Sequence, residues 1–192
     1  MTIYDRSVWW ENVDTSLLNL LKDFYYVKNG SPVTVPVKMF PINMDTTKLT
    51  YPIILVRHSN ESFDIDRYDA NDVKVSQQDG VAIYEQSAIP YKLSYQIDFV
   101  AEKQRDINTL VQQWISTFRP RFYLDVRDNS GEMRKCYVTQ VGKPHNVDYQ
   151  AVRGEDRLLR TVVLFDVNVE IDSGKQKEVR IVTKSPAINN NI

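Results

Sequence analysis

The stretch that decides the fold is Pro90–Trp114, PYKLSYQIDFVAEKQRDINTLVQQW. Apolar and polar side chains alternate in its first half, which is typical of a strand with one apolar and one solvated face. The apolar positions are Tyr91, Leu93, Tyr95, Ile97 and Phe99, and the polar positions are Lys92, Ser94, Gln96 and Asp98. The polar face is therefore expected to remain wet and available to partners.

The second half of the stretch changes to helical periodicity. Asp106 is expected in the first turn, and the helix should end before Pro120. Apolar residues recur at spacings of three and four, at Ile107, Leu110, Val111, Trp114, Ile115 and Phe118. This stripe predicts a helix that packs flat on a sheet.

An earlier segment predicts a second amphipathic helix. Asp14 or Thr15 can cap it, and Asn29-Gly30 can end it. Its apolar positions are Val13, Leu17, Leu20, Leu21 and Phe24. Both predicted helices need a sheet to cover their apolar faces.

Further strands are predicted from apolar runs and from the prolines and turn residues that bound them. The apolar run Ile53–Val56 predicts a strand buried on both faces, and the proline-interrupted VTVPVKMF at 33–40 predicts an edge strand. A hairpin is expected around the turn Asp128–Gly131, and a long strand is expected to end near Ile171. The polar segments 59–80 and 142–156 are interpreted as loops.

These elements predict an α+β fold: a mixed, mainly antiparallel sheet with two amphipathic helices packed on one face, plus extended loops and a C-terminal arm. Residues 1–172 are expected to form a single domain. Residues 173–192 are expected to be an extension that stays mobile or adds a strand to another subunit.

Composition narrows the classes of function. The 24 Lys and Arg nearly balance the 25 Asp and Glu, so nothing indicates sequence-specific nucleic-acid binding. A single cysteine rules out an internal disulfide and favours a reducing compartment. The first residues do not resemble a signal peptide, and no apolar run reaches the roughly 20 residues of a membrane span. We expect a soluble, non-secreted protein.

The sequence lacks recognisable catalytic, metal-binding and phosphate-binding motifs, which favours a binding or structural role. Neither His58 nor His145 has a second ligand at a metal-site spacing, and no glycine-rich phosphate loop is present. A nucleophile constellation of Cys136, His145 and Asp148 can be drawn, but Cys136 falls in a predicted strand with no activating helix terminus. We therefore expect no enzyme activity, no metal and no cofactor.

One local motif carries a family resemblance. P-Y-x-L-x-Y-Q-I-D-x-x-A at Pro90–Ala101, then an amphipathic helix, then Asp125–Asp128 before a polar turn, resembles the tail terminator or tail completion proteins of tailed bacteriophages. The resemblance implies a virion structural protein, assembled in the host cytoplasm, that forms a ring of commonly six subunits. Such a ring ends tube growth at the head-proximal end, joins tail to neck, and can hold the last sheath ring.

The implied partners are further copies of the chain, the tail tube protein, neck or head-completion proteins and the tail sheath protein, with DNA able to pass through the ring. We expect subunit contacts from a strand-forming tail and a charged loop. The candidate contact residues are Arg153, Glu155, Asp156, Arg157, Val179, Ile181 and Val182.

Alternative functions remain open at this point. The same pattern fits another neck, head-closure, sheath-associated or baseplate protein. A small hydrolase using Cys136 or His145, and a cytoplasmic module with a ligand in the 59–80 loop, belong to other classes.

Overall fold

The structure, a computed structural model, describes residues 8–40, 49–68, 72–78, 81–148, 158–171 and 176–180. Two helices and eleven strands lie in these ranges, together with a short 3-10 helix at Ile65–Arg67. The helices are α1 (Trp10–Leu21) and α2 (Gln104–Thr117). The strands are β1 (Tyr25–Lys28), β2 (Ser31–Thr34), β3 (Val37–Met39), β4 (Ile53–Phe63), β5 (Asp72–Gln78), β6 (Val81–Gln86), β7 (Ile89–Ala101), β8 (Arg121–Arg127), β9 (Met133–Asp148), β10 (Leu159–Ile171) and β11 (Gln176–Arg180).

A six-stranded sheet forms the centre, in the order β3-β4-β7-β10-β9-β8. Its pairs are antiparallel except for β3 and β4, which run parallel. A two-stranded sheet pairs β1 with β2, and a three-stranded sheet has the order β11-β6-β5. The predicted α+β class with a mainly antiparallel sheet is confirmed.

Strand β7 forms where its alternation predicts a strand, and it lies in the interior of the six-stranded sheet. It pairs with β10 from Ile89↔Ile171 to Leu159↔Ala101 and with β4 on the other side. Its side chains facing the helices include Leu93, Tyr95, Ile97 and Phe99, all buried. Both neighbours supply backbone hydrogen bonds along β7, so the strand that the sequence marks most clearly is also the best supported.

The expectation of a uniformly wet outer face is wrong at one end. Asp98 is only 3% exposed, because a second apolar cluster covers this part of the sheet. That cluster contains Ile53, Leu55, Val100 and Leu158, with Phe40, Leu49 and Tyr51 packed against it. It also explains why Ile53–Val56 is buried on both faces, as predicted.

Helix α2 packs its apolar stripe on the sheet as predicted, with one exception. Ile107, Leu110 and Trp114 are buried, whereas Ile115 is 61% exposed. Successive helical residues are rotated by about 100°, so a residue next to the fully buried Trp114 falls outside the contact stripe. Including Ile115 in the stripe was wrong.

Both predicted ends of α1 need correction. The helix starts at Trp10, where the Trp9 amide donates to Asn12 Oδ1 at 3.1 Å, so neither Asp14 nor Thr15 caps it. Asn29 and Gly30 lie beyond its end and form the turn between β1 and β2, with φ values of 53° and 83°. Asn-Gly favours a hairpin turn in which both central residues have positive φ. The dipeptide therefore closes a hairpin.

Helix α1 lies between the edges of the curled sheet. It contacts both edge strands, β3 and β8. Five strand spacings would separate these edges by roughly 24 Å in a flat sheet, about twice the diameter of a helix. The sheet therefore curls around α1, whose side chains Val13, Leu17 and Leu21 are buried in the core.

The two predicted loops are partly strands. Strand β4 continues to Phe63 through a register shift between His58 and Asn60, and β5 occupies 72–78 within the segment interpreted as a loop. Strand β9 likewise continues to Asp148, while 149–157 lies outside the described residues. These extensions pair through their backbones while Ser59–Phe63 lie exposed, so no apolar alternation marks them.

Candidate interaction surfaces

The predicted charged contact loop lies outside the described residues. This applies to Arg153, Glu155, Asp156 and Arg157. Ile181 and Val182 also lie outside, and of the predicted apolar arm contacts only Val179 falls in a described strand, β11. These contacts remain predictions.

The C-terminal arm forms a strand within its own chain. Strand β11 pairs antiparallel with β6, from Gln176↔Glu85 to Arg180↔Val81. It lies at one edge of the three-stranded sheet, and β5 lies at the other. A strand at an edge has one side available for pairing. Addition of the arm to a neighbouring subunit remains a prediction.

An exposed cationic patch covers the outer face of the hairpin formed by β8 and β9. Tyr123 is 65% exposed and Met133 is 60% exposed, and the ring of Tyr123 lies 5.5 Å from that of Tyr137. The β8–β9 patch consists of Arg121, Tyr123, Asp125, Arg127, Met133, Lys135 and Tyr137. Exposed Tyr, Met and Arg side chains are enriched in protein interfaces.

Strand alternation produces this patch. Leu124 and Val126 of β8 are buried in the core, so the odd-numbered residues of β8 face away from it. The register places Tyr123 opposite Tyr137 and Asp125 opposite Lys135. The alternation of 122–126 carries this signal in the sequence, because its polar positions mark the exposed face.

A second exposed patch carries the opposite charge. It lies at the end of β4 and on the 3-10 helix, where Phe63 is 43% exposed and Ile65 is 72% exposed. The acidic patch consists of Glu61, Phe63, Asp64, Ile65, Asp66 and Arg67. The polar sequence of 59–80 predicts a loop here, and the two apolar residues among the acids are the signal in the sequence for an exposed patch.

Specific contacts hold the acidic patch on the sheet. Arg67 pairs with Asp64 at 3.3 Å and donates to the Val169 carbonyl of β10 at 3.2 Å. The Phe63 ring lies 5.3 Å from the ring of Tyr68 and 6.1 Å from that of Tyr91. The patch is thus presented by ordered backbone, which reduces the entropy lost on binding.

A buried ion pair lies beneath the second apolar cluster. Arg160 donates to Asp98 Oδ2 at 2.8 Å, and Gln96 donates to Asp98 Oδ1 at 2.6 Å. Arg57 stacks over the ring of Phe40 at 4.6 Å beside this pair. Because buried charges must be compensated, the pair couples β7 to β10 at this end of the sheet.

Helix α1 is joined to β7 by a partly buried polar contact. The Tyr95 hydroxyl donates to Asp14 Oδ1 at 2.8 Å. Burial raises the pKa of Asp14, although the Tyr95 hydrogen bond partly opposes the shift. Burial, reinforced by the charge of Asp14, also raises the pKa of Tyr95 above its ordinary range. The hydroxyl therefore remains a donor over the whole range of pH in which the protein would function.

The turn Asp128–Gly131 is organised around one carboxylate. Ser130 Oγ and the Glu132 amide donate to Asp128 Oδ1 at 2.6 and 2.9 Å, and Arg134 Nε donates to Oδ2 at 2.9 Å. Burial raises the pKa of Asp128, but the hydrogen bonds from Ser130, Arg134 and the Glu132 amide outweigh it and lower the pKa to about 2. The folded state thus holds this group as a carboxylate.

The stabilisation from Asp128 is expected to disappear in acid. Since its folded pKa lies below the ordinary value of 3.8, its contribution is complete above that value and is lost as pH falls toward 2. Asp128→Asn should cost about 2 kcal/mol of unfolding free energy at pH 7 and almost nothing near pH 2. Urea denaturation across this pH range tests it, with the exposed Asp125→Asn as control. A constant difference between Asp128→Asn and the wild type would contradict the prediction.

Cys136 lies in an open cleft but lacks the environment of a nucleophile. The cleft, of about 580 Å³, is also lined by Arg67, Arg134 and Asn168. Cys136 is 5% exposed, and burial together with the charge of Glu170 raises its pKa to about 11. His145 pairs with Val162 of β10, whereas Tyr137, next to Cys136, pairs with Asn168, so roughly 20 Å of strand separates His145 from Tyr137. Strand β9 therefore keeps Cys136 and His145 apart.

Within the described ranges, no three His, Cys, Asp or Glu side chains come together as a metal site. Neither described helix has the length and apolar character needed to cross a bilayer.

The fold and its exposed patches define an α+β subunit whose described surface is suited to protein contacts. Residues 26–189 match the T4-like virus Myoviridae tail sheath stabiliser family, and the chain belongs to that family. The family consists of structural proteins of the phage tail, so the resemblance to tailed-phage tail proteins is confirmed. The chain is accordingly a structural component of the virion tail, a class in which enzyme activity is not expected.

No curated protein matches the chain in sequence. One solved structure, whose title names no function, is 14% identical and aligns over 83% of this chain and 96% of its own, with a TM-score of 0.42. A likeness at that level carries no argument about function.

Proposed function

We propose that the chain forms a ring of identical subunits, six being the expected number, at the head-proximal end of a contractile tail. The ring ends growth of the tail tube, joins the tail to the neck and holds the last ring of the sheath. The observation that carries this proposal is the match of residues 26–189 to the tail sheath stabiliser family. Stabilising a sheath requires direct contact with it, and a ring matches the rotational symmetry of a tail.

Two features of the fold support a ring-forming subunit. The chain presents exposed apolar side chains on two separate patches, Tyr123 and Met133 on one and Phe63 and Ile65 on the other. The C-terminal strand β11 lies at the edge of a small sheet, where addition to a neighbour's sheet requires little rearrangement. The charged residues Arg153, Glu155, Asp156 and Arg157 provide further contacts between subunits or with the tail.

The partners in this proposal are protein surfaces together with passing DNA. The ring contacts the tail tube protein, the sheath protein and the neck or head-completion proteins. DNA passes through its lumen without being read, in keeping with the near balance of 24 basic and 25 acidic residues. Assembly takes place in the host cytoplasm.

Electron microscopy of the purified chain tests the proposal. We expect negatively stained rings, and we expect tails assembled without this protein to gain density at one end when it is added. A chain that is monomeric at every concentration and does not bind to tails would overturn the proposal. The matched variant lacks residues 173–192, and rings and tail joining unchanged in this variant would exclude the arm from assembly.

A further inference from the structure

We propose that the β8–β9 patch of one subunit binds the acidic patch of the next copy of the chain. This inference rests on the proposed ring and specifies the two surfaces that close it. The two patches carry opposite charge, both contain exposed apolar side chains, and both belong to the same chain.

The charges of the two patches are complementary. The β8–β9 patch has three cationic side chains, Arg121, Arg127 and Lys135, against one carboxylate, Asp125. In the acidic patch Glu61 and Asp66 are exposed, while Asp64 and Arg67 pair with each other at 3.3 Å, so the exposed charge is negative. Opposite potentials on two patches favour their encounter, and each patch disfavours pairing with its own copy. The contact is therefore expected between unlike patches.

Each patch also contains two exposed apolar side chains that could anchor the contact. Tyr123 and Met133 project from one patch, while Phe63 and Ile65 project from the other. Large apolar and aromatic side chains surrounded by charges are the usual arrangement of an interface centre within a polar rim. Burying both pairs together would remove four of the most exposed apolar side chains of the described residues from water.

The two patches are different parts of the surface, so a contact between them can be head-to-tail. The acidic patch lies at the end of β4 and is joined to β10 through Arg67, whereas the β8–β9 patch lies on β8 and β9. Arg67 of the acidic patch and Met133 and Lys135 of the β8–β9 patch line the same cleft. A head-to-tail contact between unlike patches produces a ring when the rotation between subunits closes. A two-fold dimer would instead use both contacts reciprocally in one interface, and the mass of the assembly distinguishes it from a ring.

Reversed charges provide the test. Variant A carries Arg121→Glu and Lys135→Glu in the β8–β9 patch, and variant B carries Glu61→Lys and Asp66→Lys in the acidic patch. Each variant alone should associate about 10- to 30-fold more weakly than wild type, because two attractive contacts become repulsive at every interface. Mass photometry over a dilution series, at low and high salt, measures the effect.

An equimolar mixture of A and B separates this proposal from a general loss of solubility or folding. In the mixture each A-to-B and B-to-A interface again joins opposite charges, so even-numbered rings of alternating subunits should form at near wild-type affinity. The control variant Lys103→Glu with Arg105→Glu changes the same number of positive charges at the exposed start of α2. It should leave association unchanged.

The outcomes distinguish this contact from the proposed function. Wild-type rings together with intact rings from A and B alone would overturn the contact and leave the ring in place. Failure of the mixture to recover association would also overturn it. A wild-type chain that forms no ring in solution or on tails would overturn the proposed function and the contact with it.

Discussion

We expect Trp114→Ala to lower the free energy of unfolding by about 4 kcal/mol, a loss typical of removing a large aromatic side chain from a packed core. Trp114 is 1% exposed and its ring lies 4.5 Å from that of Phe118 and 6.0 Å from that of Phe165. Its indole also donates to Gln140 Oε1 at 3.2 Å, so truncation leaves a cavity and removes a hydrogen bond between α2 and β9. Urea denaturation at fixed protein concentration measures the loss.

The adjacent residue provides the control for this substitution. Ile115→Ala removes an apolar side chain from the same helical turn at a position that is 61% exposed, and should change stability by about 0.5 kcal/mol or less. Equal losses for Trp114→Ala and Ile115→Ala would mean that the contact stripe of α2 is placed incorrectly. The comparison holds helix propensity and chain position nearly constant.

The predictable part of the fold is the part where one physical signal dominates. In β7, alternation alone specifies which residues enter the core, and Leu93, Tyr95, Ile97 and Phe99 are buried as expected. In the hairpin of β8 and β9, the turn at Asp128–Gly131 supplies the second signal. Both assignments use local information and require no knowledge of neighbouring strands.

Competing local signals explain the errors. Asn29-Gly30 is compatible with either a helix end or a hairpin turn. It forms a hairpin turn because the preceding strand, Tyr25–Lys28, pairs with β2. The polar extension of β4 beyond His58 has no apolar face, because the neighbouring strand supplies its backbone hydrogen bonds. Tertiary pairing therefore determines structure that composition leaves open.

The exposed patches are only partly predictable from sequence. Charge clustered in a loop singles out Arg153, Glu155, Asp156 and Arg157, and these residues lie outside the described ranges. Tyr123 and Ile65 are large apolar residues that the predicted core does not include, and this property is their only signal in the sequence. Exposure depends on the packing of all layers, so it follows from the three-dimensional fold more readily than from local pattern.

The second large effect concerns the buried ion pair on the outer face of the sheet. Asp98→Ala should destabilise the protein by about 3 kcal/mol, because it removes the carboxylate that Arg160 Nη2 binds beneath an apolar cluster. The side chain of Asp98 is 4% exposed and that of Arg160 is 17% exposed, so water compensates only poorly. Thermal and urea unfolding measure the loss, with Asp125→Ala on exposed β8 as the control.

A double substitution separates the ion pair from simple packing. Replacing Asp98 and Arg160 together with leucine removes both charges, and the cost should fall to about 1 kcal/mol or less, because a well-packed apolar pair often equals a buried ion pair in stability. The single variants Asp98→Leu and Arg160→Leu complete the cycle. If the loss of unfolding free energy in the double variant equals the sum of the two single losses, the two charges do not stabilise each other and the prediction is wrong. A further outcome is a double variant that recovers stability while tail assembly fails. That result would mean that assembly needs the directional hydrogen bonds between Asp98 and Arg160, which leucine side chains cannot make.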